Sequence, residues 1–134
     1  MEAGIPVTQN HILVDRDENG HYALSASQLS HIPTAFICSR DSSAYQLLKI
    51  LKEKNIRVPE DVSITGFDDY ILSSLCTPKI TTYSIDVAKL TDSCIWLLLD
   101  RIAQPDRPLR HIVISGKIME RDSVRTLSTN PESR

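Results

Sequence analysis

Glycine is scarce in this 134-residue chain, with four in all. None sits in a Gly-x-Gly-x-x-Gly or Gly-x-x-x-x-Gly-Lys pattern, which excludes the usual dinucleotide and P-loop phosphate sites. A basic excess is also missing. Lys and Arg number 15 against 17 Asp and Glu, for a net charge of −2, so these residues offer no surface suited to a phosphate backbone. Metal-ligand spacing is absent. Cys38, Cys76 and Cys94 form no Cys-x-x-Cys pair, and His11, His21 and His31 fall on different predicted elements, so no metal or other cofactor is expected. No serine or cysteine stands in a nucleophile elbow, so no catalytic residue is assigned and an enzyme is not expected.

Two of the three cysteines lie in apolar runs, where a free thiol behaves as a small buried hydrophobe; a reducing cytoplasm fits them best. The start, Met1 to Pro6, has neither a basic nor an apolar leader region, and no signal peptide is expected. The longest apolar run, Cys94 to Leu99, is far too short to cross a bilayer, so no membrane contact is expected. What remains is ordinary for one globular domain: 41% hydrophobic and 24% charged residues.

The chain is organised around Val62-Ser63-Ile64-Thr65-Gly66-Phe67-Asp68-Asp69. Val62, Ile64 and Thr65 favour a strand, fed by the loop at Pro59-Glu60-Asp61. Gly66 lets the backbone bend or approach a neighbour closely. If the strand is parallel and buried, Asp68 and Asp69 emerge at its carboxyl end, where open α/β sheets bind ligands. A carboxylate-rich turn without a ligand is the competing reading.

In chain order, Gly4-Ile5-Pro6 reads as a helix end and its loop, and His11 to Val14 as a strand closed by the turn Asp15 to Gly20. Ala35 to Cys38 is a continuous apolar run, as in a strand covered on both faces. Asp41 or Ser42 can cap the helix that follows. In it Ala44, Leu47, Leu48 and Leu51 recur at the spacing of one buried face, and Asn55 is a natural stop. Strand, helix and strand then make a unit with a parallel pair. Ile80 to Ile85 alternates as a strand, and Asp86 to Ile102 is the strongest helix, ended by Pro105 and Pro108. His111 to Ser115 and Ile118 to Ser123 read as two further strands. Residues 126–134 are polar and expected to be disordered.

Asp41 and Asp68 should both stand at strand carboxyl ends on neighbouring strands. Such a pair can do general acid/base work, or accept hydrogen bonds from the hydroxyls of a sugar or nucleoside.

The order and spacing of Pro33 to Asp41, Arg57 to Ser63, Gly66-Phe67-Asp68-Asp69, Thr77-Pro78 and Thr81-Thr82 resemble the effector-binding domain of the LacI/GalR family of bacterial transcription regulators. The resemblance runs from about Ala3 to Ser123. It implies an α/β fold: a truncated parallel-sheet, three-layer α/β/α lobe of the periplasmic-binding-protein-like I type. Residues 1–125 would be the C-terminal portion of the effector-binding and dimerisation domain, with the 86–102 helix belonging to the other lobe. The family's helix-turn-helix, hinge and most of its first lobe have no counterpart here, so operator DNA would be met only through that missing N-terminal part.

For the site, the resemblance implies that Asp68, the first aspartate of the Gly-aromatic-Asp-Asp motif, contacts a small-molecule effector, a sugar or sugar phosphate. The family's usual Asn-Asp pair is Arg40-Asp41 here, a departure, because arginine is donor-only and permanently charged. Arg40 can mark an anionic effector, an ion pair with Asp68, or a decayed site. Asp41 can bind ligand or, by preference, cap its helix. Ile85 replaces a glutamine common in the family. The homodimer contact would be built by Ser43, Ala44, Leu47 and Leu48 with Ile71, Leu72, Leu75 and Cys76. The rival reading, a periplasmic sugar-binding protein of the same fold, differs in requiring export.

Overall fold

The computed structural model describes residues 11–29 and 31–126. The calls on Gly4-Ile5-Pro6 and on the polar tail after residue 126 lie outside them. A four-stranded sheet organises the rest, in the order β1 (Ala35–Ile37), β2 (Ser63–Asp68), β3 (Thr81–Ser84) and β4 (Lys117–Met119). Helices α1 (Asp41–Glu53), α2 (Leu72–Leu75) and α3 (Val87–Ala103) connect the strands. β1 and β2 are parallel, with Phe36 opposite Ile64; β2 and β3 are parallel, with Gly66 opposite Thr82 and Asp68 opposite Ser84. β4 joins as an antiparallel edge, Tyr83 opposite Ile118. This is the α/β arrangement expected, with a mixed rather than purely parallel sheet.

The core forms where α1 crosses between β1 and β2. Ala44, Leu47, Leu48 and Leu51 are buried with Val62, Ile64, Ile80 and Leu29 in one cluster. Each large side chain so buried is worth about 1.5–3 kcal/mol. Asn55 stops α1 in the left-handed conformation (φ 58), its amide and that of Ile56 bonding back to Lys52 and Leu51 carbonyls. On the face of β2 opposite Ile64, Phe67 stacks on Tyr83 with ring centroids 5.5 Å apart.

Part of the expected dimer surface is buried within the single chain. Ser43, Ala44, Leu47 and Leu48 are no more than 7% exposed within a single chain, so they cannot also face a partner. The periodicity that marked them as a buried face is the reading that holds. Ile71 and Leu75 remain exposed, and Leu72 and Cys76 are half-buried.

Two expected strands do not form. Residues 11–14 carry no strand, and a local hairpin follows at residues 15–23, in which Ala23 N–H bonds Asp15 O and Asp17 N–H bonds His21 O. Asp17 carboxylate accepts the Asn19 and His21 amides, and Arg16 stacks on Tyr22 at 4.2 Å. At His111 to Ser115 the β-branched run Ile112-Val113-Ile114 is present but no neighbouring strand is, and Val113 stays 77% exposed. α3 is capped by Asp86, whose carboxylate accepts Lys89 N–H at 3.1 Å. None of its residues is buried, Cys94 included. Among the described residues no helix is long and apolar enough to cross a membrane.

Beyond β4 the chain folds back across the starts of β2 and β3. Ser123 is fully buried there; its hydroxyl donates to Ile64 O at 2.6 Å and accepts Thr81 N–H at 2.8 Å. Ser123→Ala leaves that amide and carbonyl without their partner, a loss of about 1–3 kcal/mol. The expected result is a lower urea midpoint at an unchanged denaturant slope.

Candidate functional site

β2 ends in Gly66-Phe67-Asp68, and the chain reverses through two consecutive left-handed residues, Asp68 (φ 96) and Asp69 (φ 54). Aspartate tolerates this region better than bulkier residues, yet each such residue costs about 1–3 kcal/mol and persists only where the surroundings hold it. Here they do. Tyr70 N–H, just past the turn, donates to Asp41 Oδ2 at 2.7 Å and to Asp68 Oδ1 at 3.2 Å. Arg121 donates to Asp69 Oδ1 at 2.6 Å.

Asp41 is the deepest of these groups, with 0% of its surface exposed. Its second oxygen, Oδ1, accepts the Thr82 hydroxyl at 2.6 Å. That same oxygen fills the space a side chain at residue 66 would take: a Cβ on Gly66 would overlap it. The glycine is therefore required by close approach, the second of the two roles the sequence allows, and not by a bend. Burial pushes the Asp41 carboxyl above the usual carboxylate range, while the bonds from Thr82 and Tyr70 pull it back. Arg121 holds Asp69 below that range.

Asp41 does not cap α1. Arg40 occupies the cap position, extended and without a side-chain bond, because the Asp41 carboxylate is turned inward to Thr82 and Tyr70. Arg40 is exposed, and among the described residues no ion pair joins it to Asp68, which removes the ion-pair reading. Asp68 is half-buried; among the described residues its carboxylate accepts one hydrogen bond, from the Tyr70 amide. The two carboxylates thus share one amide donor. Asp41 is sealed, whereas Asp68 keeps acceptor capacity toward solvent.

Burial, with the Asp15 and Asp41 charges, pushes the Cys38 thiol up to about 12, so it is a neutral side chain and not a nucleophile. An open polar pocket of about 380 Å³ lies at the end of β3, lined by Ser84, Asp86, Lys89, Ser115, Gly116 and Lys117. Ser84 is the register partner of Asp68, so this pocket adjoins the same strand ends. Among the described residues no three metal-ligating side chains converge. Sequence reasoning missed Thr82, Ser73 and Arg121 as individuals, because the contacts Thr82–Asp41, Arg121–Ser73 and Arg121–Asp69 join distant parts of the chain and no spacing rule links them.

The fit between Gly66 and Asp41 is directly testable. Gly66→Ala should destabilise the fold by about 1–3 kcal/mol through overpacking. In an Asp41→Ala background the same change should cost little, since the overlapping oxygen is gone. Chemical unfolding of the unmodified chain and the three variants of this double-mutant cycle measures the coupling.

Residues 2–124 match the family described as periplasmic binding protein-like domain. The chain is 32% identical over 130 residues to the HTH-type transcriptional repressor PurR of Vibrio atlanticus, covering 95% of this chain and 39% of that protein. It is 37% identical over 101 residues to the probable HTH-type transcriptional repressor ExuR of Bacillus subtilis, covering 75% and 30%. Among solved structures, a LacI family transcriptional regulator from Enterococcus faecium with bound ribose matches at a TM-score of 0.68 and 29% identity, over 77% of this chain and 38% of that one. The chain thus spans less than two-fifths of the length of these relatives. Sheet order, the Gly66 to Asp69 turn and the matched residues agree, and the chain belongs to the periplasmic-binding-protein-like domains of the LacI/GalR family.

Proposed function

We propose that this chain is the effector-sensing and dimerising part of a LacI-type transcription regulator, acting in the cytoplasm as a binding module and not as an enzyme. Operator DNA would be contacted by a helix-turn-helix domain that has no counterpart in these residues. α3, none of whose residues is buried, would belong to the second lobe of the effector cleft. The observation that carries the reading is the Asp68 turn: a carboxylate with spare acceptor capacity, held in a left-handed backbone at a parallel strand's carboxyl end. The relative from Enterococcus faecium, with its bound ribose, directs attention to sugars.

A neutral sugar hydroxyl donating to an ionised carboxylate contributes on the order of 1.5–3 kcal/mol. Asp68→Ala should therefore weaken ribose binding at least tenfold and leave the fold intact. Amide chemical shifts of the chain, titrated with ribose into the millimolar range, provide the measurement. Shift changes confined to the strand ends around residues 40, 68 and 84–86, and lost in Asp68→Ala, are expected. An identical response in the variant would remove Asp68 from the site.

Arg40, exposed and without an ion pair to Asp68, is assigned to an anionic group on the effector, and the sealed Asp41 to holding the turn beneath it. Arg40→Asn should then weaken ribose 5-phosphate several-fold more than ribose. Equal losses for both would exclude the phosphate role.

A second copy of the chain is the partner assigned to the exposed Ile71 and Leu75, flanked by Leu72 and Cys76. Leu75→Asp should lower the mass found by light scattering at low micromolar concentration; an unchanged mass would place the contact elsewhere.

A further inference from the structure

Arg121 lies two residues past β4, outside every feature so far given a role in binding. Its side chain is 16% exposed and makes three hydrogen bonds. Nη2 donates to Asp69 Oδ1 at 2.6 Å, while Nη1 donates to Ser73 Oγ and to Ile80 O, both at 2.9 Å. Its backbone amide adds a bond to Thr81 Oγ1 at 2.9 Å. Ser73, itself fully buried, donates onward from Oγ to Tyr70 O at 2.7 Å. One guanidinium therefore grips both ends of the Asp69-Tyr70 segment, directly through a carboxylate and indirectly through a serine.

We propose that Arg121 is the positioning residue of the Asp68 turn: by fixing Asp69 and, through Ser73, the Tyr70 carbonyl, it sets the direction in which Asp68 presents its carboxylate. The purpose of that direction rests on the effector reading above. The physical case does not. Two adjacent left-handed aspartates will not persist without groups that over-determine them, and two such groups are present. Asp41 anchors the turn from the α1 side by the Tyr70 amide, and Arg121 anchors it from the β4 side by the Asp69 carboxylate. Arginine suits the task because its planar fork serves three acceptors in fixed geometry, which a lysine point charge cannot. The depressed Asp69 pKa agrees with that contact, its largest cause being the bond from Arg121.

Hydrogen exchange of single amides in the 134-residue chain tests the positioning role, with Arg121→Gln and Arg121→Lys beside the unmodified protein. In Arg121→Gln the Tyr70 amide should exchange at least tenfold faster, while Leu48 and Leu51 in α1 keep their rates. Arg121→Lys, which restores charge opposite Asp69 but not the fork to Ser73, should fall between. An unchanged Tyr70 rate would overturn the proposal, and so would equal acceleration at Leu48 and Leu51, which marks general loosening. The same variants titrated with ribose give the second arm: affinity in Arg121→Gln should fall at least fivefold, and full affinity despite a loosened turn would also overturn it. Failure of the effector reading shows separately, as no ribose response in the unmodified chain, and the exchange arm then still decides whether Arg121 holds the turn.

Discussion

A carboxylate without solvent contact stands where β2 would otherwise carry a side chain. Asp41 is the first residue of α1, so the helix dipole favours its negative charge, yet burial and the nearby Asp68 charge oppose it. The balance is met by hydrogen bonds from Thr82 on β3 and from the Tyr70 amide in the turn. Removing an acceptor from such a position leaves buried donors unmatched, which costs more than the bond itself contributes. Helix, both central strands and the Asp68 turn meet at this one group.

Around it the structure is built from polar side chains that reach across the chain. Ser123 closes the gap between the starts of β2 and β3, Thr82 reaches up to Asp41, and Arg121 reaches across to Asp69 and Ser73. The apolar core lies on one side of the sheet, where α1 supplies four of the eight buried members found among the described residues. Hydrophobic burial gives the layer its stability, and the polar contacts give the strand ends their geometry. The two tasks fall to different residues.

That division explains which parts were legible in the sequence. Ala44, Leu47, Leu48 and Leu51 state their burial through helical spacing, and Val62 and Ile64 state theirs through β-branching next to a turn signal. Asn55 and Asp86 mark helix ends by local chemistry that needs no partner elsewhere. His11 to Val14 and His111 to Ser115 read as strands without forming them because an apolar, β-branched run records a preference, whereas a strand requires a neighbour. The dimer assignment overlaps the core for a related reason. It gave Leu47 and Leu48 to a partner when their own periodicity had already given them to the core. Asp41 looked like a helix cap because of its position, and only the fold brings Thr82 and Tyr70 to its oxygens. Asp68 was placed at a strand end by pattern and family likeness together; the left-handed backbone that aims it had no sequence signal beyond the aspartates themselves.

The overlap between residues 41 and 66 also constrains how such a chain can diverge. Position 66 cannot gain a methyl group while an aspartate fills position 41, whereas position 41 can shrink while a glycine remains at 66. Neither step is neutral, since loss of the Asp41 acceptor leaves the Thr82 hydroxyl and the Tyr70 amide unmatched, but only the order that begins at position 41 avoids the overlap. Two sites on different elements behave as a single inherited character, and a lineage that loses the acid first gains freedom at the glycine that no direct path would provide.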